Sequence, residues 1–197
     1  MKFNSVNILE FNFLNVTKSQ FLKQVESDLS QHKNRFIITA NPEIVMFARK
    51  NPDYAKIVHS ADYLVPDGIG IVKASKFTDT PLTERVTGYD VFTELLNWAD
   101  EHHSKTYFLG GKPEVIEKVV QKIHREHSGI DLVGYHDGYF KDTSPIVNEI
   151  KQLQPEIVFV ATGFPKQEEF IAEHRHLTSA IWMGIGGSFD VYADVVK

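Results

Sequence analysis

The sequence predicts an α/β fold of Rossmann-like design, a mostly parallel sheet with helices on both faces. Three observations carry this expectation. In the second half, short apolar runs alternate with segments of helical periodicity across short loops, the rhythm of parallel strands and crossover helices. The apolar runs are continuous rather than alternating, as strands covered on both faces require. Three of them end in glycine just before a helix start: FLGGKPE, TGFPKQE and GIGGSFD.

Taken in order, Thr17-Lys18-Ser19-Gln20 has the spacing of a capping box before a helix with Phe21, Leu22, Val25 and Leu29 on one face. RFIITA is a strand. Asn41-Pro42 opens the next helix, Asn as N-cap and Pro in the first helical position, and Asn51-Pro52 repeats that signal. YLVPDG is a short strand running into an Asp-Gly turn. Residues 76–88, KFTDTPLTERVTG, form a loop long enough to carry function. A helix from Tyr89 to His103 follows. KTYFLGG is a strand ending in glycines, and PEVIEKVVQKIHREH is a helix with Val115, Ile116, Val119, Val120 and Ile123 on one face. IDLVGYHDGYF reads as strand and loop, followed by a helix carrying Ile146, Val147, Ile150 and Leu153. PEIVFVATGF, PKQEEFIAEHR and AIWMGIGG close the series as strand, helix and strand.

Composition narrows the function classes. A length of 197 residues suits one domain, 1–197. The absence of cysteine excludes a disulfide framework, a thiol nucleophile, a thiolate zinc site and an iron–sulfur cluster. A net charge of -5 argues against nucleic acid as the main partner, because phosphate backbones need clustered Lys and Arg. No apolar run reaches the ~20 residues of a transmembrane helix, and MKFNSVNILEFNF does not read as a secretory signal. The expected compartment is the cytoplasm.

Ligands of open α/β sheets bind beyond the carboxyl ends of the strands. The residues expected there are Thr39, Asn41, Asp67, Gly68, Gly110, Gly111, His136, Asp137, Gly163 to Gln167 and Gly184 to Asp190. Glycine lets a ligand approach the backbone, and the helix starts behind it offer free N–H groups suited to phosphate. Asp67 reads either as an ordinary Asp-Gly turn or as a general base at a strand end. Thr39 and Asn41 read as a strand end and an N-cap, or as hydrogen-bonding partners of a sugar or phosphate. Gln167 is a surface residue of a first helical turn or a ligand contact. Arg85 is a solvated loop residue or a phosphate partner. Neither GxGxxG nor a Walker sequence is present. His102, His103, His124 and His127 fall at helix C-terminal ends, where the dipole favours imidazole, so no metal site is expected. No Asp-x-Asp pair occurs, which favours diphosphate binding by backbone and cationic groups.

The blocks ITANPEIVMFARKNP, ADYLVPDGIGIV, ERVTGYDVF, FLGGKPEV and VATGFPKQEEFI, followed by GIGGSFD, resemble the WecG/TagA/CpsF family of bacterial glycosyltransferases. They occur in that family's order and cover about residues 36–190. The resemblance implies transfer of N-acetylmannosamine from a UDP-sugar donor to the C4 hydroxyl of N-acetylglucosamine on undecaprenyl diphosphate, with inversion, in wall teichoic acid synthesis. It implies no cofactor. It makes Asp67 the candidate base, with Thr39 and Asn41 beside the donor and Gln167 on the sugar or diphosphate. Arg85 would stabilise charge on departing UDP. Gly110, Gly111, Gly186 and Gly187 would let the nucleotide sit against backbone, and Asp190 would accept from uracil.

Family members continue past the GGxFD block into a basic, aromatic stretch, whereas this chain stops at DVYADVVK. The resemblance therefore leads to the expectation of a catalytic domain without a basic membrane-docking tail, peripheral at the inner membrane face when that tail is present. A homo-oligomer stays open. Two rivals remain at the level of the sequence: a nucleotide-sugar epimerase or NAD-dependent dehydrogenase, and a non-catalytic nucleotide-sugar sensor.

Overall fold

The computed structural model describes residues 3–196. A hairpin of β1 (Ser5–Ile8) and β2 (Phe11–Leu14) precedes α1 (Lys18–Ser30). Then come β3 (Arg35–Ala40), α2 (Pro42–Lys50), α3 (Pro52–Ser60), β4 (Tyr63–Pro66), α4 (Ile69–Ser75) and α5 (Gly88–His102). The second half runs β5 (Lys105–Gly110), α6 (Pro113–Glu126), β6 (Asp131–His136), α7 (Ser144–Leu153), β7 (Ile157–Ala161), α8 (Lys166–His174), β8 (Ile181–Gly184) and α9 (Ser188–Tyr192).

Six strands form one parallel sheet in the order β4-β3-β8-β7-β5-β6. The expected Rossmann-like sheet is therefore present. Successive strand residues point to opposite faces, so each face gathers its own core. Ile37, Phe108, Phe159 and Met183 pack under α1, α5, α6 and α9. Phe36, Ile38, Tyr107, Val158 and Trp182 pack under α2, α3, α7 and α8 and the hairpin. The hairpin was not expected from the sequence. Its β2 lies against the edge strand β4, which shields an edge that would otherwise invite pairing. The opposite edge, β6, is only partly buried, so two-sided coverage fails at that strand.

The start signals work as their chemistry dictates. Thr17 closes a full capping box with Gln20, and Asn41 Oδ1 accepts from the Ile44 N–H at 3.0 Å with Pro42 behind it. Asn51 departs from that pattern. It precedes α3, but its amide nitrogen turns back to donate to the Phe47 carbonyl at 2.8 Å, so α3 has no side-chain cap. His103 ends α5 in the left-handed conformation, with its ring nitrogen 2.9 Å from the Gly129 carbonyl oxygen.

The chain order creates two places where ligands can enter. After β4 the chain passes over β3, β8 and β7 to reach β5. β5 then connects outward to β6 while β7 connects inward to β8, so the connections diverge between β5 and β7. At β3 the chain also turns outward, to β4, which opens a second gap beside β8. Such divergences leave crevices at the carboxyl ends of the strands.

Candidate active site

Both crevices are present. The larger, of about 720 Å³, lies over the ends of β3, β4 and β8. Thr39, Asn41, Asp67, Arg85, Gln167, Gly186 and Gly187 all line it. Residues from across the sequence therefore converge here.

Asp67 is fixed by its backbone and both carboxylate oxygens. Its N–H donates to the Ala40 carbonyl at 3.0 Å, tying the end of β4 to β3. Oδ2 accepts from the Gly88 N–H at 3.2 Å, and Oδ1 faces Arg85 Nη2 at 3.4 Å. Arg85 Nε also donates to the Asp67 carbonyl oxygen. Both side chains keep some contact with solvent, so the pair adds little stability and serves mainly to orient. Gly88 marks how closely these groups pack. A Cβ there would stand 2.8 Å from Thr39 Oγ1 and 3.5 Å from Asp67 Oδ2. The hydroxyl, the carboxylate and the N-terminus of α5 therefore meet at one point. The loop of residues 76–87 returns Arg85 to the aspartate and delivers Gly88 beside it. Gly88 was not named as a site residue from the sequence, where it closes the loop of residues 76–88.

Asn41 serves as N-cap through its oxygen, while its amide nitrogen has no partner among the described residues. Gln167 is 5% exposed, and its side chain is already engaged. Its oxygen accepts from the Gly186 N–H at 3.0 Å and its nitrogen donates to Glu168 at 2.7 Å. Of its two readings, the plain surface residue is excluded, because the side chain is buried and lines the crevice.

The second crevice, of about 590 Å³, lies at the divergence between β5 and β7. Gly111 and Asp190 line this hollow, so the expected binding residues divide between two crevices. Gly110 lies at the end of β5, pressed against the Ala161 backbone. The Gly111 N–H donates to the Ala161 carbonyl at 3.0 Å, and its own carbonyl accepts from Gly138 at 2.8 Å. These glycines thus bring strands close together, with their backbone groups already used. Lys112, Lys141, Lys166, Tyr139 and Thr162 line the same hollow; of these only Lys166 fell within the rim residues expected from the sequence, as part of 163–167. Thr162 Oγ1 is buried without a hydrogen-bond partner. Lys112 and Lys166 stand at the N-terminal ends of α6 and α8. A cation there opposes the helix dipole. Two such lysines are the one sequence signal that could have drawn attention to this hollow.

Comparisons with known proteins give the family. The family model of the glycosyl transferase WecG/TagA/CpsF family matches residues 6–197. Three similar proteins are each named N-acetylglucosaminyldiphosphoundecaprenol N-acetyl-beta-D-mannosaminyltransferase. That of Bacillus spizizenii is 42% identical over 192 residues, covering 96% of this chain and 75% of its own length. That of Bacillus subtilis is 40% identical over 187 residues, covering 94% and 73%. That of Staphylococcus aureus strain NCTC 8325 is 35% identical over 195 residues, covering 98% and 77%. The family model spans nearly the whole chain, and both crevices lie within the matched residues, so the chain belongs to the WecG/TagA/CpsF family of glycosyl transferases.

Proposed function

We propose that this chain is an inverting glycosyltransferase that moves N-acetylmannosamine from UDP-N-acetylmannosamine to the C4 hydroxyl of N-acetylglucosamine on undecaprenyl diphosphate, in wall teichoic acid linkage-unit synthesis. The observation that carries it is the Asp67 carboxylate, held by Arg85 and the Gly88 N–H beside Thr39 in the larger crevice. The sugar and acceptor come from the names of the similar proteins.

In this reading Asp67 takes the proton from the acceptor hydroxyl as its oxygen attacks C1 of the donor sugar. The new C–O bond forms as the bond to the UDP oxygen breaks, and the electron pair leaves with UDP. Arg85 and the lysines of the second crevice offset the charge that builds there. The nucleotide lies in the second crevice, with Asp190 toward uracil and Lys112, Lys141 and Lys166 around the diphosphate. The unpartnered Thr162 hydroxyl supports a polar ligand at that place. Asn41 and the Gly186-Gly187 turn border the transferred sugar. The reaction uses no metal or other cofactor.

The acceptor is a lipid, so the larger crevice works against a membrane surface. Among the described residues no helix is long and apolar enough to cross a membrane. Surface contact is supported instead by α4 and the turn after it, where Ile69 and Lys73 on the helix and Lys76 and Phe77 just beyond its end are exposed.

A product assay tests the reading. The chain, incubated with UDP-N-acetylmannosamine and a short-chain lipid-diphosphate acceptor, is expected to form the β-linked disaccharide. Asp67→Asn is expected to lower turnover by at least ~10²-fold while UDP still raises the melting temperature. Stabilisation by NAD rather than UDP, with no disaccharide formed, would refute the reading.

A further inference from the structure

The GFPKQE segment carries a carboxyl group that the reaction above does not use. Glu168, in the first turn of α8, is 2% exposed. Its Oε1 accepts from Gln167 Nε2 at 2.7 Å. Gln167 Oε1 in turn accepts from the Gly186 N–H at 3.0 Å, in the turn between β8 and α9. On the other side, Glu168 Oε2 and the Tyr54 hydroxyl of α3 are both buried without a hydrogen-bond partner. They lie near enough to interact electrostatically. β8 makes room for the pair. A Cβ on Gly184 would stand 2.7 Å from Gln167 Nε2 and 2.9 Å from Glu168 Oε1.

These contacts form one line from α3 through α8 into the floor of the crevice. A glutamine amide can present either its oxygen or its nitrogen to a neighbour. Gly186 N–H requires the oxygen. A carboxyl oxygen at Glu168 requires the nitrogen, and it accepts whether the second oxygen carries a proton or not. The two demands agree only when Gln167 has one orientation. Without Glu168 the nitrogen end would face buried space with no acceptor, and the amide would gain by turning away.

We propose that Glu168 is a positioning residue, orienting the Gln167 amide so that it pins Gly186 and sets the β8–α9 turn against which the donor sugar lies. The part concerning the donor rests on the transferase reading; the part concerning Gly186 does not.

Amide hydrogen exchange at Gly186 in the ligand-free chain tests it, with Glu168→Met, Glu168→Asp and Glu168→Gln. Methionine fills the site without an acceptor, and aspartate withdraws the carboxylate by one methylene. Both are expected to cut protection at Gly186 at least tenfold, with Met183 in β8 unchanged. Glutamine keeps an acceptor oxygen and is expected to keep most of the protection. In the transferase assay, Met and Asp are expected to raise KM for the donor several-fold with a smaller change in kcat. Where Met prevents folding, the Asp variant decides alone. The proposal is overturned if Gly186 stays protected in a folded Met or Asp variant. It is equally overturned if Gly186 and Met183 lose protection together, because Glu168 would then only support the fold. An inactive chain that shows the expected exchange pattern would count against the transferase reading and leave the Gln167 relay standing.

Discussion

At the scale of single residues, placement decides role. Asp67 and Glu168 are both carboxylates at the carboxyl rim of the sheet, yet they face different surroundings. Asp67 has a cation and a backbone N–H beside it and stays open to the crevice. Glu168 is enclosed, and burial pushes its pKa up to about 7, an effect that its hydrogen bonds oppose and the nearby Glu169 slightly reinforces. The unfolded value is near 4.5. Between those values the native state holds a proton that the unfolded chain has released, so stability falls as pH rises through that window. The full effect reaches up to about 3 kcal/mol by the worth of a pKa unit. Glu168→Gln cannot ionise. It is expected to melt at a higher temperature than the parent at pH 8, with the gap closing toward pH 5. Equal melting curves for the two proteins across that range would contradict this account. His102, by contrast, contacts its own helix, with a ring nitrogen 2.8 Å from the Trp98 carbonyl oxygen and its ring stacked on that of Trp98.

At the scale of elements, strand ends and helix starts were legible where the signal was local. The Thr17 capping box and the Asn41-Pro42 start both follow from residues within one turn. Asn51-Pro52 shows the limit, because the Asn51 side chain caps nothing and its amide nitrogen donates back to the Phe47 carbonyl. The glycines at strand ends were legible as glycines, but their purpose was not. Gly110 has φ 130° and lies against the Ala161 backbone where β5 and β7 meet. An added Cβ has neither an allowed conformation nor room. Gly110→Ala is expected to destabilise the protein by at least ~2 kcal/mol, from strain and overpacking, read from the urea midpoint at unchanged slope. Gly163 has open space around its Cβ position, although its φ is also positive at 77°. Gly163→Ala is expected to cost less, because only the backbone conformation resists it.

At the scale of the whole molecule, charge and apolar surface are unevenly spread. The net charge of -5 hides a lysine-lined crevice and a face with no acidic residue between Ile69 and Phe77. Phe77 is 95% exposed. Lys73 and Lys76 make no ion pair among the described residues. Apolar and cationic groups together favour an anionic bilayer over a neutral one, each lysine by about 1 kcal/mol. Phe77→Ser and the Lys73→Glu, Lys76→Glu pair are expected to reduce sedimentation with phosphatidylglycerol vesicles several-fold, without changing turnover of a water-soluble acceptor. Equal sedimentation of parent and variants, or a change in oligomeric state on Phe77→Ser alone, would assign that face elsewhere.

The sequence by itself determined the alternation of strands and helices, the order of the motifs and the identity of the rim residues, because each depends on periodicity or on neighbours within a turn. It also carried the family, since whole blocks such as VPDGIG and GFPKQEEF are contiguous. Tertiary structure decided which rim residues share a crevice. The crossing from β4 to β5 sets the strand order, and that order places Asp67 with Gln167 but sends Gly111 and Asp190 to another hollow. It also decided that Gln167 and Glu168 turn inward. The space they fill exists only because Gly184, on a strand sixteen residues or more away in sequence, lacks a side chain. No local pattern encodes a vacancy on a neighbouring strand; packing across the sheet does.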